Sequence, residues 1–98
     1  MGAPSNSARI FRGVFKPRQG EDAQLATSLA AGGSVSIKIY DAIGRSIRTV
    51  TDGVRAAGDY VDVWDGRNSG GGMCASGVYL IRFECPGFSS TKRVVLVK

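Results

Sequence analysis

A chain of 98 residues is long enough for one domain, able to bury roughly two thirds of the surface its unfolded form exposes and to hold a core without disulfide or metal staples. Its 14 glycines and recurrent Ser and Thr speak for many turns and short strands and against a helical bundle. No run approaches the ~18 apolar residues of a membrane span, and of the formal charge of +5 the cations Arg9, Arg12, Lys16 and Arg18 all precede the first acid, Glu21.

The start MGAPSNSARIFRG lacks the apolar stretch of a signal peptide. Residues 1–8 are therefore expected to be a flexible leader or an expression remnant, and 9–98 a single domain cut from a longer protein that carries its targeting signal elsewhere. The basic residues of RIFRGVF alternate with Phe11 and Phe15, which fit apolar strand positions better than a nucleic-acid footprint, and no nucleic-acid motif accompanies them.

In chain order, RIFRGVF and AQLATSLA read as the first strands; in the second, Leu25, Thr27 and Leu29 alternate, and AAGGS turns the chain. SVSIKIYD places Val35, Ile37 and Ile39 on one face and Ser36, Lys38 and Tyr40 on the other, the pattern of a half-buried strand. DAIGR is a short hairpin loop in which Gly44 takes a positive φ, and RSIRTVT is the partner strand. Asp52-Gly53 and Ala57-Gly58-Asp59 are turn signals where the chain crosses between sheets. YVDVWD then resumes the extended pattern, with Asp62 sharing the face of Trp64 while Val61 and Val63 take the other; a bulge near Asp65 or a wet margin at Asp62 would each account for this. After the glycine-dense loop, Tyr79, Ile81, Phe83 and Cys85 share a face, Pro86-Gly87 turns the chain, and STKRVVLVK closes a last hairpin. The expectation is an all-β, immunoglobulin-like or fibronectin III-like β-sandwich of about seven antiparallel strands.

GGGMCA formally satisfies G-x-G-x-x-A, but a dinucleotide site needs a helix to follow, and SGVYLIRF is a strand. Asp65, Arg67, Ser69 and Gly70 echo the opening of a calcium loop, yet a cation occupies the third position and Ser76 stands where a bidentate acid is needed. A turn in which Asp65 and Asn68 bond local amides explains the same residues. The chain has no histidine, so no Ser-His-Asp or Cys-His constellation exists, and Asp59, Asp62 and Asp65 cannot form a local acid pair along one strand. Cys74 and Cys85 bracket an extended segment too long for a bridge, and two thiols without histidine make poor zinc ligands. No catalytic residue, cofactor or metal is expected.

Four segments together, VSIKIYDAIGRSIRTV, AAGDYVDVWDGRNSGG, ASGVYLIRFE and TKRVVLVK, resemble the FlgD immunoglobulin-like domain family, which is related to the C-terminal sorting domains of type IX secretion. The resemblance runs from about Val35 to Lys98 and rests on Tyr40, Asp41, Gly44 and Arg45 of a Y-D-x-x-G-R hairpin, Trp64, Asp65 and Gly66 of W-D-G, and Gly77 and Tyr79 of S-G-V-Y. It implies a noncatalytic C-terminal accessory module of a bacterial secreted or cell-surface protein, acting in export and sorting, surface attachment or assembly. Its partners would be parent-protein domains and export or cell-surface machinery. A flagellar hook-capping scaffold domain, and a carbohydrate-binding module of a secreted glycoside hydrolase with Tyr40 as the ligand platform, are the alternatives. Within the sorting reading, Val94, Val95, Leu96, Val97 and Lys98 are expected to offer a strand edge for pairing.

Overall fold

The computed structural model describes residues 6–11 and 13–98. Eight strands form two sheets: β1 (Ser7–Ile10), β3 (Ala23–Leu29) and β6 (Gly58–Trp64) in one, ordered β1-β3-β6, and β2 (Val14–Phe15), β4 (Gly33–Asp41), β5 (Ser46–Arg55), β7 (Gly77–Cys85) and β8 (Phe88–Leu96) in the other, ordered β2-β8-β7-β4-β5. The only helical turn among the described residues is a 3₁₀ segment, Pro17–Gln19. This is the expected immunoglobulin-like sandwich, with one strand more than anticipated and one parallel pair, β2 with β8.

The core follows from the period-two pattern. Leu25 and Leu29 of β3, Val35, Ile37 and Ile39 of β4, Tyr79, Ile81 and Phe83 of β7, and Val94 and Leu96 of β8 face inward, because alternate residues of a strand project to opposite faces. Trp64 and Phe15 fill the centre, each essentially removed from solvent. Thr27 is the buried polar exception.

Three sequence expectations change. The segment RIFRGVF is not one strand: residues 7–10 pair with β3, residues 14–15 pair with β8, and the chain changes sheets between them. Ser7 and Ala8, assigned to the leader, belong to β1, where Ala8 is buried; the leader's residues 1–5 lie outside the described residues, as does Arg12. Asp52-Gly53 is no turn: both lie inside β5, opposite Ser36 and Val35, and the crossing to β6 occurs at Ala56-Ala57. Continued pairing with the long β4 outweighs the local turn preference of Asp-Gly.

The placement of Asp62 is also resolved. The β3–β6 register runs without interruption from Ala23–Trp64 to Leu29–Gly58, so there is no bulge. Asp62 points into the open margin between the sheets, where Arg55 of β5 meets it with bonds of 2.8 and 2.9 Å and the Thr51 hydroxyl donates a third at 3.2 Å. Arg55 also lies over the Tyr60 ring, 4.5 Å from its centroid. The two side chains are 19% and 12% exposed, so this pair is a largely buried clip joining the sheets across the β5–β6 margin.

Candidate functional site

Of the features singled out in the sequence, the loop from Asp65 to Ser76 holds the most polar groups, and its bonds are nearly all internal. The Trp64 indole donates to the Arg67 carbonyl at 2.8 Å, the Cys74 amide to the Gly66 carbonyl at 2.8 Å, and the Tyr79 hydroxyl to the Ala75 carbonyl at 2.7 Å. Asn68 Oδ1 accepts from the Gly70 and Gly72 amides, both at 3.0 Å. Asp65 Oδ1 accepts from the Arg67 amide and from Arg48, each at 3.1 Å. The Asp65 carboxylate, set aside as a calcium ligand in favour of a local turn, is engaged by two arginines and by that turn, and the loop leads into β7 rather than into a helix.

Beneath the loop, Trp64 meets Phe15 and Tyr79 edge-on, with ring centroids 5.5 and 5.1 Å away. This T-shaped geometry lets positive ring edges meet negative faces. Gly66 sits at φ 84, and a Cβ there would come within 2.9 Å of Leu96 and 3.0 Å of Pro17. The W-D-G element therefore seats the indole and lets β8 and the 3₁₀ turn close over it. Gly77 opens β7 after the loop.

The Y-D-x-x-G-R element is equally self-contained. Asp41 accepts from the amides of Ile43 and Arg45 and from the Arg45 guanidinium at 2.8 Å. These bonds, the Arg45 amide first, hold the Asp41 carboxyl below its ordinary value. Gly44, at φ 92, closes the turn by donating to the Asp41 carbonyl.

Tyr40 projects from the outer face of β4, half-buried, into a shallow groove lined by Gly44, Leu80, Arg82 and Thr91. Burial pushes the Cys74 and Cys85 thiols up, which keeps them protonated near neutral pH, and both are free.

The C-terminal edge requires a correction. Val94 and Leu96 are core residues with no exposure, and the edge at Val95 to Val97 is already occupied: the Val95 amide donates to the Gly13 carbonyl at 2.7 Å and the Val97 amide to the Phe15 carbonyl at 3.0 Å. The Lys98 amide is bound by Ser76 Oγ. Sequence alternation identified β8 but could not reveal that a segment 81 residues upstream would cover its end. The part of β8 left open, Phe88 to Arg93, was missed; its signal would have been the absence of apolar alternation in SSTKR.

Comparison with known proteins places these features. No curated protein matches the chain. Among solved structures it is similar to PorZ, described as an essential bacterial surface component of the type IX secretion system of Porphyromonas gingivalis, at 20% identity and a TM-score of 0.64, covering 94% of this chain and 12% of that one. It is similar to dimeric latent PorU from Porphyromonas gingivalis at 18% identity and a TM-score of 0.71, covering 99% of this chain and 10% of that one. FlgD from P. aeruginosa is similar at 20% identity and a TM-score of 0.64, covering 93% of this chain and 74% of that one. These likenesses show a shared fold, and the chain spans only about a tenth of the length of the first two. The family described as the FlgD Ig-like domain matches residues 17–85, which take in the Y-D-x-x-G-R hairpin, the W-D-G loop and the S-G-V-Y strand start, and the chain belongs to that family.

Proposed function

We propose that this domain is a noncatalytic accessory module of a larger bacterial secreted or cell-surface protein, serving its export or its attachment at the surface. The observation that carries the reading is the use made of the family motifs: Asp41, Arg45, Trp64, Asp65, Asn68 and Tyr79 bond to their own loops. Residues that would otherwise be candidates for chemistry are spent on holding a scaffold. Its likeness to segments making up 12% of PorZ, described as a surface component of a type IX secretion system, and 10% of PorU supports a modular role.

The test is a reporter protein carrying residues 1–98 at its C-terminus, expressed in a bacterium with a type IX system. The reporter is expected in the medium or on the surface, and to stay inside when the module is removed. Equal export with and without the module would refute the reading. Truncating Val94–Lys98 is not a usable probe, because it removes the buried Val94 and Leu96 and so tests folding. The 74% coverage of the P. aeruginosa FlgD structure supports a second reading, a scaffold for flagellar assembly, in which loss of the module impairs motility and leaves export intact.

A further inference from the structure

We propose that the open half of β8, Ser89 to Arg93, is a docking edge that takes an extended acidic peptide segment of another protein as an additional strand. In an antiparallel ladder the residues of one strand alternate between those bonded to their partner and those whose amide and carbonyl both point away. The Val95 and Val97 amides point away from β7, toward β2. The same parity places the backbone groups of Ser89, Thr91 and Arg93 on that side, and among the described residues no bond reaches them. β2 pairs with β8 only at Val95 and Leu96, since the chain before it belongs to the other sheet, whose β1 comes close to β8 but makes no bond to its backbone among the described residues. All three residues are exposed.

Other margins of the sandwich are guarded in ways this one is not. The β5 edge is broken by two register shifts, the Ser69 amide bonds the Ile47 carbonyl there, and Arg55 ties β5 to Asp62 of β6. β1 is only four residues long. Such bulges, short strands and covers are the usual protection against unwanted pairing. By contrast β7 and β8 keep one unshifted register from Cys85–Phe88 to Gly77–Leu96, which leaves a straight template.

Charge decides the occupant. Phe88 to Leu96 contains Lys92 and Arg93 and no acid, and neither cation has an ion pair among the described residues. Lys92 lies opposite the buried Ile81 and so on the inward face, while Arg93 lies opposite Leu80 on the outer face. A second copy pairing through this edge would gather four cations and no acid, whereas a segment bearing acids on both of its faces would neutralise each cation while completing the ladder. Main-chain bonds would supply affinity and the two cations selectivity.

The proposal is independent of the export reading and is tested in solution, on the isolated chain. The probe is a ten-residue peptide in which Val-Val and Glu-Glu pairs alternate, so that glutamates fall on both faces of the added strand, and its counterpart has lysine for glutamate. Amide hydrogen exchange at Ser89, Thr91 and Arg93 is expected to slow about tenfold at a glutamate-peptide concentration of about ten times Kd, with no effect of the lysine peptide. Thr91→Pro, which removes an outward donor and leaves the bonds to β7 in place, is expected to abolish the protection while circular dichroism stays that of a folded sheet. If that variant does not fold, the double variant Lys92→Glu with Arg93→Glu, which alters no backbone group, is expected to exchange the preference between the two peptides. Unchanged exchange at the three amides, equal protection by both peptides, or protection confined to β5 would overturn the proposal. Protection that rises with protein concentration in the absence of peptide would overturn it in favour of self-pairing.

Discussion

Trp64→Ala is the most direct test of whether the tryptophan loop exists to hold the sandwich together. The indole is 2% exposed, and a buried tryptophan removes about 150 to 250 Å² from water. At about 25 cal/mol per Å² this amounts to roughly 4 to 6 kcal/mol. The lower end is favoured, because a real denatured chain already shields part of that area. Loss of the contacts with Phe15 and Tyr79 acts in the other direction, and the two corrections leave an expected cost of about 4 to 5 kcal/mol, within the range of roughly 3 to 5 for truncating buried aromatics. A domain of this size has about 5 to 15 kcal/mol in all, so the variant would be close to unfolding. With a urea slope of about 1 to 2 kcal/mol per molar, the midpoint should fall by at least about 2 M. Far-UV circular dichroism is the appropriate signal, because Trp64 is the only tryptophan and its fluorescence disappears with it. Trp64→Phe, which keeps an aromatic ring but deprives the Arg67 carbonyl of its donor, should cost only about 1 to 2 kcal/mol. A midpoint shift below about 0.5 M at unchanged slope would refute core packing as the role of this residue, and equal losses in the two variants would assign the effect to the hydrogen bond.

Other outcomes follow from the same geometry. Gly66→Ala should destabilise more than Gly44→Ala in urea melts: both pay about 1 to 2 kcal/mol for left-handed backbone, but only at residue 66 would the new carbon crowd Leu96 and Pro17. Arg55→Met leaves the Asp62 carboxylate largely buried without its partner and should cost about 2 to 3 kcal/mol, below the loss for a fully enclosed pair; adding Asp62→Leu should recover part of it, and a double-mutant cycle with no coupling would contradict the clip. Because the folded state holds the Asp41 pKa below its ordinary value, its contribution is complete above the unfolded carboxylate pKa and is lost as pH falls through the lower, folded one. Thermal melts of Asp41→Asn should therefore lose less stability than the parent on going from neutral pH to about pH 3, and identical pH profiles would show that the turn bonds do not favour the charged form.

Much of the fold was legible because the signals were local. The alternation in SVSIKIYD and GVYLIRFEC fixes which side chains are buried whatever strand lies beside them, and Asp41 with Gly44 defines its turn within a few residues. The family motifs were legible for the same reason, since most of their bonds stay within their own segments, the Asp65–Arg48 pair being an exception. What escaped detection depended on distant partners. Asp52-Gly53 has the composition of a turn, and only the length of β4 opposite keeps it extended. Asp62 looked misplaced because Arg55, seven residues earlier and in the other sheet, had no reason to be read as its partner. Within RIFRGVF nothing marks the change of sheets after Ile10.

The C-terminal strand shows the division most clearly. Along β8, one parity governs two properties: odd residues turn their side chains outward and aim their backbone groups away from β7. Side-chain parity can be read in the sequence, since Val94 and Leu96 are apolar and inward. Backbone parity becomes interpretable only when it is known that β2 stops at the level of Val95. The functional residues expected at Val94–Lys98 therefore belong to the core and the covered edge, and the same alternation transfers the available donors and acceptors to Ser89, Thr91 and Arg93. An edge that is both regular and cationic invites pairing by geometry while resisting its own copies by charge. Selective recognition of an acidic strand requires both properties together.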